Sequence, residues 1–311
     1  MRRTAMTDLV SGPPAAAAPP ASAERPRRPL GRGTYREDRL WTAAFIMPYA
    51  AVFLVFTACP IGYGLWMAGR PALYAQLADD PIYLTTLFNT LLFVGVGVNL
   101  KMFLALLLSG FFLRPRWWIK ALLVIYLVPW PLAAVQAFIS VHWILIGDMG
   151  LVNRLLEELF GIEAPIWFNY RWTALAWNIA AHIWKWMPFW TVIFIAARLA
   201  LPRDVNDAAA IDGATGVRRF VHVTFPMLAN LYLVCTLLST LWTIGDFNTV
   251  YFVSGGAPVM STDVLATLAF RYTFDSFNPA LGIAAVLSAL PVMIPVGLVM
   301  IRRFQTREVG L

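Results

Sequence analysis

Apolar residues fill six long stretches of this chain, and polar residues fall mostly between them. The stretches lie at about 41–68, 84–112, 119–145, 172–199, 228–253 and 279–302. Each is long enough, at 1.5 Å of rise per helical residue, to cross a hydrocarbon layer of about 30 Å. One soluble core cannot account for so many runs of this length. The pattern predicts an all-α integral membrane protein with six transmembrane helices.

Charge then orients the spans. The first tail, the 113–120 and 198–227 connections and the last tail together hold eighteen Lys and Arg residues, against four (Arg70, Arg154, Arg171 and Arg271) on the opposite side. Lys101 and Lys185 fall inside spans. Connections rich in Lys and Arg stay in the cytoplasm, so both ends are expected there. Tryptophans at expected interface levels agree: Trp41 and Trp66 bracket the first span, Trp117 and Trp118 open the third and Trp172 opens the fourth. Residues 1–40, rich in Ala, Pro and Arg, read as a disordered cytoplasmic tail. Residues 41–303 form the membrane domain, with a cytoplasmic connection over 200–227, and 304–311 are a second cytoplasmic tail. No apolar segment precedes a small-residue cleavage site, so no cleaved signal peptide is expected.

Composition strengthens the membrane reading: 59% of residues are hydrophobic and 13% charged, against about a quarter charged in soluble domains. The net charge of +7 does not indicate nucleic-acid binding, because the arginines follow alternate connections instead of forming one basic face with interleaved aromatics. Cys59 and Cys235 lie in apolar runs without metal-ligand spacing and read as core thiols. No phosphate-binding loop, HExxH or GxSxG occurs, and His142, His182 and His222 are scattered. Gly95 and Gly97, inside the second run, suit close helix packing.

The most informative segment runs from Pro202 to Pro226. Asp204 is a suitable N-cap, Asp207 suits the positive end of a helix dipole, the alanines propagate a short helix, and Gly213 can take the left-handed conformation that ends it. Together they predict about two turns of helix outside the bilayer, with the Ala208 and Ala209 methyls as a low-profile surface able to enter a cleft on a partner.

Asp207-Ala-Ala-Ala-Ile-Asp212-Gly213-Ala214, followed by Phe220 and by Phe225-Pro226, resembles the EAA loop of binding-protein-dependent ABC importer permeases, with Asp207 in place of the usual glutamate. Further likeness to the carbohydrate branch of that family, the relatives of the larger maltose-type subunit, extends over 41–303. It includes Cys59-Pro60-Ile61, Gly150-Leu-Val-Asn153, Trp184-Lys185 with Pro188-Phe189, and Val250-Tyr251 with Ser254-Gly255-Gly256 and Pro258. Ala257 departs from the usual GGP run. The resemblance implies that Asp207, Ala208, Ala209, Asp212, Gly213, Phe220 and Pro226 couple the chain to an ATPase, and that Gly255, Gly256 and Pro258 belong to a loop reaching an external binding protein. It implies a non-enzymatic subunit in the cell membrane that binds no cofactor itself. Its partners would be a second permease, two ATPase subunits carrying ATP and magnesium, and an extracytoplasmic solute-binding protein.

Two charged residues inside runs need a reason to be there. A lysine at mid-span costs about 2.5–3.5 kcal/mol on insertion scales, so Lys185 pairs with a carbonyl or an acid, reaches an interface, or lines a pathway. Asp246 clusters with Thr243, Asn248 and Thr249. The resemblance places Asp246, Asn248 and the adjacent rings of Phe247 and Tyr251 along the solute pathway, while helix bending or interhelical bonding is the structural alternative. Tryptophans within spans, among them Trp184, Trp186 and Trp190, serve packing or offer faces for sugar rings. A carbohydrate is the expected solute, with polyols or glycerol phosphates within range. An ion-gradient-driven transporter is the competing class, for which Asp246 is the one suitable intramembrane acid. A membrane-embedded enzyme lacks the clustered acids or histidines it would need.

Overall fold

The computed structural model describes residues 32–291, 293–295, 297, 298 and 302. Every regular element among them is helical. The chain divides into two units, Met1–Pro60 and Ile61–Leu311. In the first, α1 (Arg32–Phe53) carries Pro48 and opens into a wide turn over Leu54–Ala58. It starts inside the stretch expected to be a tail. The rest of that expected tail, and the one over 304–311, lie outside the described residues. With α2 (Cys59–Ala68) the first apolar run is helical from Trp41 to Ala68. Cys59 is exposed, against expectation, whereas Cys235 is buried.

The second unit continues with α3 (Pro71–Asp79) and the long α4 (Pro81–Phe112). Pro81 sits at the start of α4, where its missing N–H is no loss, and the Asp80 carboxylate accepts the Ile82 N–H at 2.8 Å. The third expected span is not one helix. It is split into α5 (Trp117–Leu127) and α6 (Ala134–Leu145), because Pro129 and Pro131 remove two backbone donors within three residues. After α7 (Leu151–Phe160), whose end is capped by Gly161 in the left-handed region, α8 (Arg171–Leu199) runs unbroken. A short α9 (Arg203–Ile211) follows.

The next helix begins earlier than its hydropathy suggested. It starts as α10 (Gly216–Arg219), widens over Phe220–Thr224, and continues as α11 (Phe225–Ile244). It stops at Gly245, and α12 (Asn248–Val253) resumes after a break. Beyond come α13 (Leu265–Phe270), a wide turn over Arg271–Asp275, and α14 (Pro279–Leu287). Four helices among the described residues are long and apolar enough to cross a membrane: Trp41–Ala68, Pro81–Phe112, Arg171–Leu199 and Gly216–Ile244.

The core lies between α4, α8 and α11. Met102, Ala105 and Leu106 of α4 meet Trp190 and Phe194 of α8 and Leu228 and Cys235 of α11. Gly97 lies on this seam: a Cβ there would stand 3.9 Å from Ile179 and His182, whereas Gly95 faces open space. Outside the seam, large apolar side chains such as Leu84, Trp143 and Trp172 are exposed. Such surface suits lipid or partner helices and is rare on water-soluble monomers.

Candidate functional site

At the break between α11 and α12, Gly245, Asp246 and Phe247 leave the helical ladder. Asp246 supplies the missing cap: one carboxylate oxygen accepts the Thr249 N–H at 3.1 Å and the other the Thr249 hydroxyl. That second oxygen also accepts from His182 Nδ1 of α8, at 2.7 Å. A carboxylate can only accept here, so Nδ1 carries the imidazole proton and Nε2 is left as an acceptor. The Lys101 ammonium of α4 donates to it at 2.9 Å and lies 3.5 Å from the Thr243 hydroxyl. Three helices are thus joined by a buried chain from Lys101 through His182 to Asp246.

This chain forms one side of a cavity of about 220 Å³. Trp186 and Trp190 of α8 and Trp242 of α11 supply its apolar faces, with Trp190 and Trp242 ring centres 5.6 Å apart. Ser239 and Asn248 complete the polar lining. The Ser239 hydroxyl is buried with no hydrogen-bond partner.

The predicted pathway residues do not all meet here. Lys185 points elsewhere: its ammonium donates to the carbonyls of Pro129, Trp130 and Leu132 at 2.7, 2.8 and 2.6 Å. These are carbonyls that the proline break between α5 and α6 releases, so carbonyl pairing accounts for Lys185. Phe247 and Tyr251 stack on each other at 4.5 Å and join Phe270 and Phe274 in a separate aromatic cluster. Of the sequence-predicted set, Asp246 and Asn248 line the cavity.

The segment after α12 folds back into the second unit. Gly255 and Gly256 have φ of 62° and 80°, values that glycine adopts without strain. Asp263, fully buried, pairs with Arg271 Nε at 2.7 Å, and Arg271 Nη2 donates to the Gly255 carbonyl at 2.8 Å. Burial pushes the Asp263 carboxyl above the usual carboxylate range, while its bonds to Arg271 work in the opposite direction. Asn89 of α4 donates to the carbonyls of Ser261 and Asp263, and Arg171 of α8 donates to Asn89. Pro258 is half-buried and Val259 projects, 94% exposed. The two glycines therefore hold the base of a pinned loop, not its tip.

On α9 the helix begins at Arg203, one residue before the expected cap, so Asp204 lies in its first turn. The other end is as predicted. Gly213 has φ of 71°, and the Ala214 N–H reaches back to the Ala209 carbonyl at 2.8 Å, closing a left-handed cap. Asp207, Ala208 and Asp212 are exposed, but Ala209 is buried within the chain and so leaves the surface assigned to both alanines. Phe220 is half-buried against the core, its ring 5.6 Å from the Arg198 guanidinium and 6.2 Å from Phe225. Pro226 is exposed in the first turn of α11.

Residues 42–305 match the family of binding-protein-dependent transport system inner membrane components. The chain belongs to that family. As a transport component of this kind it is a membrane protein, and membership sets aside the ion-gradient alternative. It is 30% identical to the trehalose/maltose transport system permease of Thermococcus litoralis, over 76% of this chain and 84% of that one. It is 28% identical to the sulfoquinovosyl glycerol permease of Agrobacterium fabrum, over 87% and 92%, and 27% identical to the sn-glycerol-3-phosphate permease of Yersinia pseudotuberculosis, over 85% and 94%. A bacterial ABC transporter that imports the acidic polysaccharide alginate has a chain of the same fold, with a TM-score of 0.75 at 20% identity over 89% of this chain and 99% of that one.

Sequence reasoning about this transport component missed Lys101 and His182. They are 81 residues apart, and His182 is 64 residues from Asp246, so no local motif joins them. The available signal was energetic: ionisable side chains in apolar runs each require a partner, although the requirement does not say which.

Proposed function

We propose that this chain is one of two membrane subunits of an ATP-driven importer for a carbohydrate or related polyol, with the cavity at Lys101, His182, Asp246 and Asn248 forming part of the solute pathway. The cavity carries the reading. Its indole faces suit the apolar faces of sugar rings, and the unpartnered Ser239 hydroxyl is a hydrogen-bonding group left for a polyhydroxylated solute. The named solutes of the relatives, trehalose or maltose, sulfoquinovosyl glycerol and glycerol 3-phosphate, belong to the same chemical class.

In this reading a second permease completes the pathway, two ATPase subunits hold the ATP and magnesium, and an external binding protein delivers the solute to the side bearing the 254–263 loop. Six spans with both ends cytoplasmic put α9 on the ATPase side. Asp207, Ala208 and Asp212 form the exposed docking face, Gly213 fixes its end, and Phe220 ties the connection to α8. Single cysteines in an otherwise cysteine-free chain test the orientation. Ala75→Cys, Glu158→Cys and Val259→Cys react with an impermeant thiol reagent from outside, and Asp212→Cys only from the cytoplasm. The reverse pattern overturns the topology.

Gly213→Val tests the coupling. Nothing lies within 4 Å of a Cβ at Gly213, so the penalty is purely conformational, about 1–2 kcal/mol for a side chain in the left-handed region. Unwinding the cap re-aims α9, so uptake falls about tenfold in a complex that still assembles and hydrolyses ATP. Unchanged uptake would show that this turn does not transmit the ATPase cycle.

A further inference from the structure

The polar groups around the cavity are unequal in what they still offer. Asp246 is largely spent, with His182 and the Thr249 hydroxyl on one oxygen and the Thr249 N–H on the other. His182 is spent at both nitrogens. Lys101 is the one cationic side chain in the lining. Its ammonium has three N–H donors, of which one is well used at 2.9 Å and a second points to Thr243 at the limiting distance of 3.5 Å. Among the other lining groups Asn248 can both donate and accept, and the rest can donate. The indole N–H groups of Trp186, Trp190 and Trp242 have no hydrogen-bond partner among the described residues, and an indole can only donate. The Ser239 hydroxyl, also without a partner, can donate as well.

A cavity lined by Lys101, three indoles and the Ser239 hydroxyl, with the Asp246 oxygens already engaged by His182 and a helix cap, matches a solute bearing negative charge and mismatches a cation. Charge-assisted hydrogen bonds are about twice as strong as neutral ones. Away from bulk water they discriminate against a neutral analogue that would leave the ammonium under-bonded. The geometry points to an acidic carbohydrate or polyol, bearing a carboxylate, sulfonate or phosphate, as the solute of this subunit, with Lys101 receiving the anion and His182 and Thr243 holding it in place. This rests on the reading of the cavity as part of the solute pathway.

The test uses the assembled permease and ATPase complex in nanodiscs without its binding protein, so that the selectivity read is that of the membrane subunits. Tryptophan fluorescence is titrated with glucuronate against glucose and with glycerol 3-phosphate against glycerol. The acidic member of each pair is expected to bind about tenfold or more tightly. Lys101→Met and Lys101→Gln abolish that difference, and Lys101→Arg keeps most of it. Equal binding of acidic and neutral probes to the unaltered complex would overturn the proposal without requiring any variant to fold, as would a preference that survives in Lys101→Met. Trp242→Phe separates the two levels of inference. Probes that bind with a Trp242-dependent signal but no charge preference refute the acidic solute alone. Absence of any Trp242-dependent signal, with uptake unchanged in Asn248→Ala, refutes the pathway reading and this proposal with it.

Discussion

Lys185→Met is expected to lower sharply the amount of folded subunit, and to leave the solute selectivity of whatever assembles unchanged. The α5–α6 break frees carbonyls that the helical ladder cannot satisfy, and the Lys185 ammonium donates to three of them at 2.6 to 2.8 Å. Removing the ammonium leaves these acceptors without donors in an apolar setting, at about 1–3 kcal/mol each. Methionine recovers the insertion cost of a charge, about 3 kcal/mol, so the net loss is about 3 kcal/mol, a large part of a native margin of about 5–15 kcal/mol. Thermal stability of the purified complex and uptake per assembled complex are the two measurements. Wild-type stability with altered selectivity would return Lys185 to the solute pathway.

Gly256→Ala should be the more damaging of two neighbouring substitutions. A Cβ on Gly256 would stand 2.8 Å from Arg271 Nη2 and closer still to the Asp263 carboxylate, at a φ of 80° that already disfavours a side chain. Relieving the clash separates a buried ion pair, and leaving a buried charge without its partner costs about 3–5 kcal/mol. Gly255→Ala meets only the Tyr251 carbonyl, at 3.9 Å, and bears the conformational penalty alone. In the proposed importer Gly256→Ala therefore abolishes stimulation of ATP hydrolysis by the binding protein and destabilises the complex, while Gly255→Ala reduces stimulation about tenfold or less. Equal effects at the two positions would mean that the Asp263–Arg271 pair does not hold this loop.

Features legible in the sequence are those whose physics is local. The α9 cap was readable because a glycine after an alanine-rich helix has a left-handed conformation available wherever the helix is placed. Asp204 falls in the first turn instead of at the cap, a shift of one residue, which is the precision to which a helix end is defined. Long apolar runs gave the membrane class, because the length needed to cross a bilayer depends on the run alone. Hydropathy hid the break in the third run: Val128-Pro129-Trp130-Pro131-Leu132 is apolar throughout, and a window average weighs side chains while the break is a property of the backbone. Ala209 was assigned to the outer face for a similar reason, as the composition of a two-turn helix does not say which side rests on the protein.

The sequence by itself therefore determined the class of molecule, the positive-inside bias, the capped end of α9 and the need for Lys185 and Asp246 to have partners. Only the tertiary structure decided who those partners are. It gave Lys185 to the carbonyls of a broken helix and joined Asp246 to His182 and Lys101 across three helices. It also placed Phe247 and Tyr251 in an aromatic cluster outside the cavity that Asn248 lines. The penalty for burying a polar group is set by its residue type and burial, so a sequence announces that it must be met. The donor or acceptor that meets it is chosen by which helix faces pack together, and that depends on the whole fold at once.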